Sequence, residues 1–173
     1  RFAAMAAGPG GDLSVAAEVY ERLLEPDPMD ETIWKPLLEV YKKKGDADRL
    51  NDLVITLVDG LLDPEACNAA RMVQADWLME TEGREFDAVD VLKAILDEDP
   101  ENQEAAQKLA TLYQQSGYDE DLVELYQRQL DVGRDNEDLE TIADLSLKLG
   151  TLLEKVERDD ALDVYRRAMD WVP

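Results

Sequence analysis

The sequence predicts an all-α chain built as a stack of antiparallel helix hairpins. Three observations predict it: a helix-forming composition, an apolar pair that returns at near-constant spacing, and a glycine at a fixed distance before that pair. Ala, Leu, Glu, Asp, Lys and Arg dominate the 173 residues, and only seven prolines and nine glycines interrupt them. That profile favours helix over strand. The length suits one compact domain or about four to five two-helix repeats.

The second helix of each hairpin is marked by the recurring pair. Ala16-x3-Tyr20, Leu50-x3-Val54, Ala88-x3-Leu92, Leu122-x3-Tyr126 and Ala161-x3-Tyr165 each place a small or medium apolar residue one helical turn before a larger one. Successive pairs lie 34, 38, 34 and 39 residues apart by subtraction. Gly11, Gly45, Gly83 and Gly117 each stand five residues before a pair, where a first helix would stop and a second begin. Pro28, Pro100 and Pro173 fall twelve residues after Ala16, Ala88 and Ala161. Proline lacks the amide hydrogen and disfavours helix in the residue before it, so these are stop signals.

The first helices carry a matching stripe: Trp34-x2-Leu37-x3-Tyr41, Ala106-x2-Leu109-Ala110-x2-Tyr113 and Ser146-x2-Leu149-Gly150-x2-Leu153. In the second full repeat Met72, Ala75, Asp76 and Met79 stand in for it, and Asp76 implies a buried partner or a slipped register. Pro36, two residues after Trp34, implies a late helix start.

On these residues the sequence resembles the tetratricopeptide repeat family, whose pattern runs W-x2-L-G-x2-Y, then A-x3-F, then P. The resemblance covers nearly the whole chain, although Leu38 occupies the glycine slot of the first full repeat. It implies a right-handed superhelical solenoid and a single helical-repeat domain over 1–173, with units of 1–28 (partial), 29–64, 65–100, 101–138 and 139–173. Ala16, Ala88 and Ala161 are 72 and 73 residues apart, so two hairpins form a larger unit in which 34–53 corresponds to 106–125. The extra residues, near 60–64 and 132–138, predict longer loops or extended helices. Both ends fall inside the pattern, so the chain reads as a fragment of a longer array. Its ends, or Gly8-Pro9-Gly10, are expected to be disordered or packed on another copy.

Charge and chemistry narrow the function. The net charge of −23, from 41 acidic against 18 basic residues, repels phosphate backbones and anionic lipid surfaces. Nucleic acid is not an expected partner. Cys67 is the single cysteine, which excludes an internal disulfide and a redox CxxC pair. The absence of histidine excludes Ser-His-Asp and Cys-His arrangements and histidine-containing metal sites. No GxGxxG or GxxxxGK[ST] occurs, and the run 97–102 lacks the glycine and ligand spacing of an EF-hand loop. The expectation is a non-enzyme without cofactor or metal. No apolar run reaches the ~18 residues of a spanning helix, so a soluble chain with no membrane insertion is expected, with the cytoplasm favoured.

The tyrosines Tyr20, Tyr41, Tyr113, Tyr126 and Tyr165 fill space beside small residues and read as core. Lys42-Lys43-Lys44 reads as cations at a helix C-terminus, and Asp30-Glu31, Asp63-Pro64-Glu65 and Pro100-Glu101 as acids at helix starts. The family resemblance implies a concave groove lined by first-helix faces. Mapped here, that groove takes Lys35, Glu39, Lys42 and Lys43; then Val73, Trp77 and Glu80; then Gln107, Thr111, Gln114 and Gln115; then Leu147, Thr151 and Glu154. Trp77 is either an exposed interface anchor or a core residue of an irregular repeat. The expected role is a protein-interaction scaffold for a peptide or protein segment, often a basic one, with self-association through exposed repeat ends. The alternatives are a structural spacer and a regulatory domain of a larger protein.

Overall fold

The computed structural model describes residues 11–156 and 159–171. Every regular element among them is an α-helix: α1 (Leu13–Leu24), α2 (Glu31–Lys44), α3 (Ala47–Gly60), α4 (Pro64–Glu80), α5 (Glu85–Glu98), α6 (Gln103–Ser116), α7 (Asp119–Asp135), α8 (Leu139–Lys155) and α9 (Ala161–Trp171). The expectations for residues 1–10 and for Pro173 lie outside the described residues.

Local chemistry explains where these helices begin and end. Asp12, Asp30, Asp63, Asn102 and Asp138 each occupy an N-cap, and the side-chain oxygen accepts a hydrogen bond from an amide of the first turn. The expected acidic starts at Asp30 and Asp63 are found, but the start after Pro100 is capped by Asn102, two residues beyond Pro100. At the other end, Gly45, Gly83 and Gly117 have φ of 69°, 81° and 72°. At two of these turns the chain closes with a six-residue bond, from the amide of Asp46 to the carbonyl of Tyr41 and from that of Tyr118 to Tyr113. Only a residue without a Cβ takes this conformation at little cost. Lys42, Lys43 and Lys44 occupy the last turn of α2, where cations meet the negative end of the helix dipole.

Two local expectations are corrected. α2 does not start late: it begins at Glu31, and Pro36 lies inside it. Pro36 sits early enough to remove only the bond to Thr32, while the Asp30 cap and the fully buried Trp34 hold the first turn. In α4 the register slips, so that Cys67, Ala70, Ala75 and Leu78 are buried while Met72, Asp76 and Met79 are only partly so. The extra residues after α3 become a three-residue link and an early start of α4, whereas those after α7 lengthen α7 to 17 residues.

The chain falls into two compact units, Arg1–Leu92 and Lys93–Pro173, divided within α5. In the first, α1 packs on α2, α2 on α3, and α4 lies against both α2 and α3. Ala16, Trp34, Leu38, Leu50 and Leu57 have no exposed surface. Tyr41 reaches back from α2 and donates to Glu21 of α1 at 2.8 Å, and Arg49 of α3 donates to the same carboxylate. Burial first, and the Glu21 carboxylate second, push the Tyr41 phenol well above its ordinary pKa.

In the second unit α6 packs on α7, α7 on α8 and α8 on α9. Leu109, Leu122, Ile142, Leu149 and Leu153 are buried there. Arg128 of α7 donates to Asp97 at 2.8 Å and to the Leu96 carbonyl at 2.6 Å, tying α7 to the end of α5.

The turn geometry and burial make two predictions. Gly117→Ala forces an alanine into the left-handed region and is expected to lower stability by about 1 kcal/mol, read as a lower urea midpoint. Leu109→Ala, in the core, is expected to lose about 2–5 kcal/mol, whereas exposed Leu147→Ala changes stability by less than about 0.5 kcal/mol. Equal effects of the two leucine substitutions would refute the burial pattern.

Candidate protein-binding furrow

An open cavity of about 740 Å³ lies within the second unit, between α6 and α8 and over α7. Helical periodicity builds its first wall: Gln103, Ala106, Gln107, Ala110, Thr111 and Gln114 recur three or four residues apart and share one face of α6. The floor comes from Leu125, Tyr126 and Gln129 of α7. The second wall is Asp138, Glu140, Thr141, Asp144, Leu145 and Lys148, from the start and first turns of α8.

The two walls differ in charge. The α6 wall is neutral, with carboxamides and one hydroxyl. The α8 wall carries three carboxylates and one ammonium, and that ammonium, on Lys148, bonds Asp144 at 2.7 Å. The Asp144 hydrogen bond raises the Lys148 pKa. Asp138 caps α8 through the Thr141 amide at 3.1 Å and also accepts from the Thr141 hydroxyl at 2.6 Å. These bonds, the hydroxyl's first, hold its carboxyl below the usual aspartate pKa and keep it ionised.

The floor is held from below. Gln114 donates to the Tyr126 hydroxyl at 3.0 Å, and Gln129, itself buried, donates to the Pro100 carbonyl at 3.1 Å. Thr111 returns its hydroxyl to the Gln107 carbonyl at 2.9 Å. The carboxamides of Gln103 and Gln107 on the exposed lip are suited to donate to and accept from a peptide backbone.

Of the residues expected to line a groove, the structure brings Gln107, Thr111 and Gln114 into this furrow. Gln115 is exposed on α6 but outside the lining, and Leu147, Thr151 and Glu154 form an exposed face of α8 beside it. Sequence reasoning missed Asp138, Glu140, Asp144 and Lys148, because it mapped only the outward face of α8. The turn of α8 that faces α6 is one residue round the helix. The α7 floor was missed because a first-helix map contains no second-helix residue.

In the first unit Lys35, Glu39 and Lys43 are exposed on α2, and Lys42 bonds Glu80 of α4 at 3.1 Å. Val73 is half-buried. Trp77 is corrected: it is 7% exposed, in the core of the slipped α4 register, with the Arg84 guanidinium 5.6 Å from its ring centroid. It is not an exposed anchor.

Residues 105–140, which run from α6 through α7 to the start of α8, match the tetratricopeptide repeat family. This stretch is a tetratricopeptide repeat. Two solved structures share its fold: MamA, with a TM-score of 0.53 and 19% identity over 92% of this chain and 88% of that one, and BtubC from P. vanneervenii, with 0.51 and 21% over 92% and 70%. At such identity the likeness concerns the fold alone. No curated protein matches this sequence. No described helix is long and apolar enough to cross a membrane.

The Asp138 cap makes a pH prediction. Because its folded pKa is depressed, its contribution to stability is present above the unfolded carboxylate range and is lost as pH falls through the folded value. Thr141→Val removes the principal cause, so the Asp138 titration followed by NMR is expected to move upward. An unmoved titration would refute the assigned cause.

Proposed function

We propose that this tetratricopeptide-repeat protein is an interaction scaffold whose second unit holds an extended, basic segment of another protein in the furrow between α6 and α8. The observation that carries this reading is the pairing of a neutral carboxamide wall with an acidic one over a partly apolar floor. Carboxamides match the donors and acceptors of an extended backbone. The carboxylates of Asp138, Glu140 and Asp144 match lysine or arginine side chains, and the chain's net charge of −23 attracts such a segment from a distance. Leu125, Tyr126 and Leu145 give an apolar side chain somewhere to rest.

The partly exposed face of α2 and α4 in the first unit, Lys35, Glu39, Lys42, Lys43, Val73 and Glu80, belongs to the same reading as a second docking face. Lys35 pairs there with Glu31 and Lys42 with Glu80, so this face offers less unopposed charge. Leu147, Thr151, Glu154 and Gln115 would border the furrow. With the triad, P-loop and EF-hand patterns missing from the sequence, binding rather than catalysis is the role proposed.

The test is selection from a random peptide library displayed on phage, followed by calorimetry on the enriched peptides. Enriched sequences are expected to be rich in lysine or arginine and to lose affinity as salt rises. Gln107→Ala/Thr111→Ala is expected to weaken them several-fold, and Glu140→Lys/Asp144→Lys at least tenfold. Peptides that bind both variants like the parent chain would sink the furrow reading and favour a spacer.

A further inference from the structure

The furrow has a counterpart in the first unit, because α2 and α3 correspond to α6 and α7 at a shift of 72 residues. Trp34 and Leu38 of α2 stand where α6 has Ala106 and Ala110, and Leu57 of α3 stands where α7 has Gln129. Trp34, Leu38 and Leu57 have no exposed surface, and α4 packs directly on α2. In the second unit Ala106, Ala110 and Gln129 all line the open cavity of about 740 Å³, with α6 and α8 on its two sides. The recess therefore lies where the first unit carries the bulk of an indole and a leucine side chain. Two alanines leave that bulk unfilled.

The floor differs in chemistry as well as in size. Leu57 is aliphatic, whereas Gln129 is a buried carboxamide whose nitrogen donates to the Pro100 carbonyl at 3.1 Å, which leaves its own carbonyl oxygen as an acceptor. Beside it the Tyr126 hydroxyl accepts from Gln114 at 3.0 Å and keeps its own proton to donate. An aliphatic side chain laid on this floor strips water from both groups and supplies no hydrogen bond. A cationic one meets the Lys148 ammonium, which lines the same cavity. An indole or a phenol combines a flat apolar face with one polar edge, and that combination satisfies the floor.

We propose that the recess at Ala106, Ala110 and Gln129 is the specificity pocket of the furrow and takes one tryptophan or tyrosine side chain of the bound segment. The proposal rests on the reading of the furrow as a site for an extended basic segment, and it adds the residue that selects among such segments. Lysines or arginines on either side of the aromatic reach Asp138, Glu140 and Asp144 on the α8 wall. A pocket with buried polar groups discriminates more sharply than an apolar one, because a side chain that cannot pair them leaves them desolvated. Charge brings many basic segments to the furrow, and the pocket holds those with the aromatic anchor.

The test is calorimetry of the intact chain with three synthetic heptapeptides of lysine and alanine that differ only in a central tryptophan, leucine or arginine. The tryptophan peptide is expected to bind at least tenfold more tightly than the other two. Ala106→Leu, at a half-buried position, puts bulk back into the recess and is expected to weaken the tryptophan peptide at least tenfold, with the fold retained by circular dichroism. Gln129→Leu gives the floor the residue of the first unit. It is expected to weaken the tryptophan peptide and strengthen the leucine peptide, an inversion that loss of fold does not produce. A tryptophan preference that survives both substitutions would overturn the pocket. Equal affinities of the three peptides, all lowered by Glu140→Lys/Asp144→Lys, would overturn the pocket and spare the furrow reading. No binding of any of the three at millimolar concentration would remove both.

Discussion

A helix hairpin of this kind cannot cover its own apolar surface, and the close contact that lets hairpins cover one another depends on small residues set against large ones. Ala16 and Ala88 are fully buried, so a neighbouring helix can approach their backbone. Gly150 is the extreme case: a Cβ there would overlap the Tyr165 ring, so the ring occupies the space that a larger residue would fill. Gly60 makes room for Met29 in the same way. The buried tyrosines Tyr20, Tyr41, Tyr113 and Tyr126 therefore belong to the packing of the units, with Tyr126 also forming the floor of the furrow. Burying one such large side chain is worth about 1.5–3 kcal/mol.

The acid excess has a local use as well as a global one. Asp12, Asp30, Asp63 and Asp138 cap helices, Glu21 anchors Tyr41 and Arg49 across three helices, and Asp119 holds Lys155 at 2.8 Å. Most of the remaining acids lie on solvent faces, where individual ion pairs contribute little. Their summed field is a different matter, because it favours cationic groups at a distance whatever their sequence. In the furrow, Asp138 serves both purposes: one carboxylate starts α8 and charges the wall.

Much of the fold was legible along the sequence. The glycines at 45, 83 and 117, the pairs five residues later and the stripes of α2 and α8 are periodic signals with direct steric causes, and each appears where it was expected, whereas in α6 Leu109, Ala110 and Tyr113 are buried but Ala106 is half-buried and lines the furrow. Less was legible where two signals compete. Pro36 suggested a late start, but the Asp30 cap and the burial of Trp34 prevailed over one lost hydrogen bond. In α4, with few large apolar residues, a stripe read by analogy with the other repeats was out of register, which misplaced Trp77. Of the furrow between α6 and α8, the α6 wall was legible because a helix face is a property of one helix. The α8 wall and the α7 floor were not.

The sequence by itself determined that this chain is helical, where its turns fall, which residues make the core stripes of α2 and α8, and that its composition is strongly acidic. Those properties follow from backbone stereochemistry and from periodicity within a single helix, and both are local. Only the tertiary structure decided which turn of α8 faces α6, that Trp77 is buried while Leu162 and Met169 are open, and that Gln114 rests on Tyr126. These depend on the rotation of one helix against another. Packing sets that rotation, and a one-residue difference in it moves a side chain by about 100° around the helix.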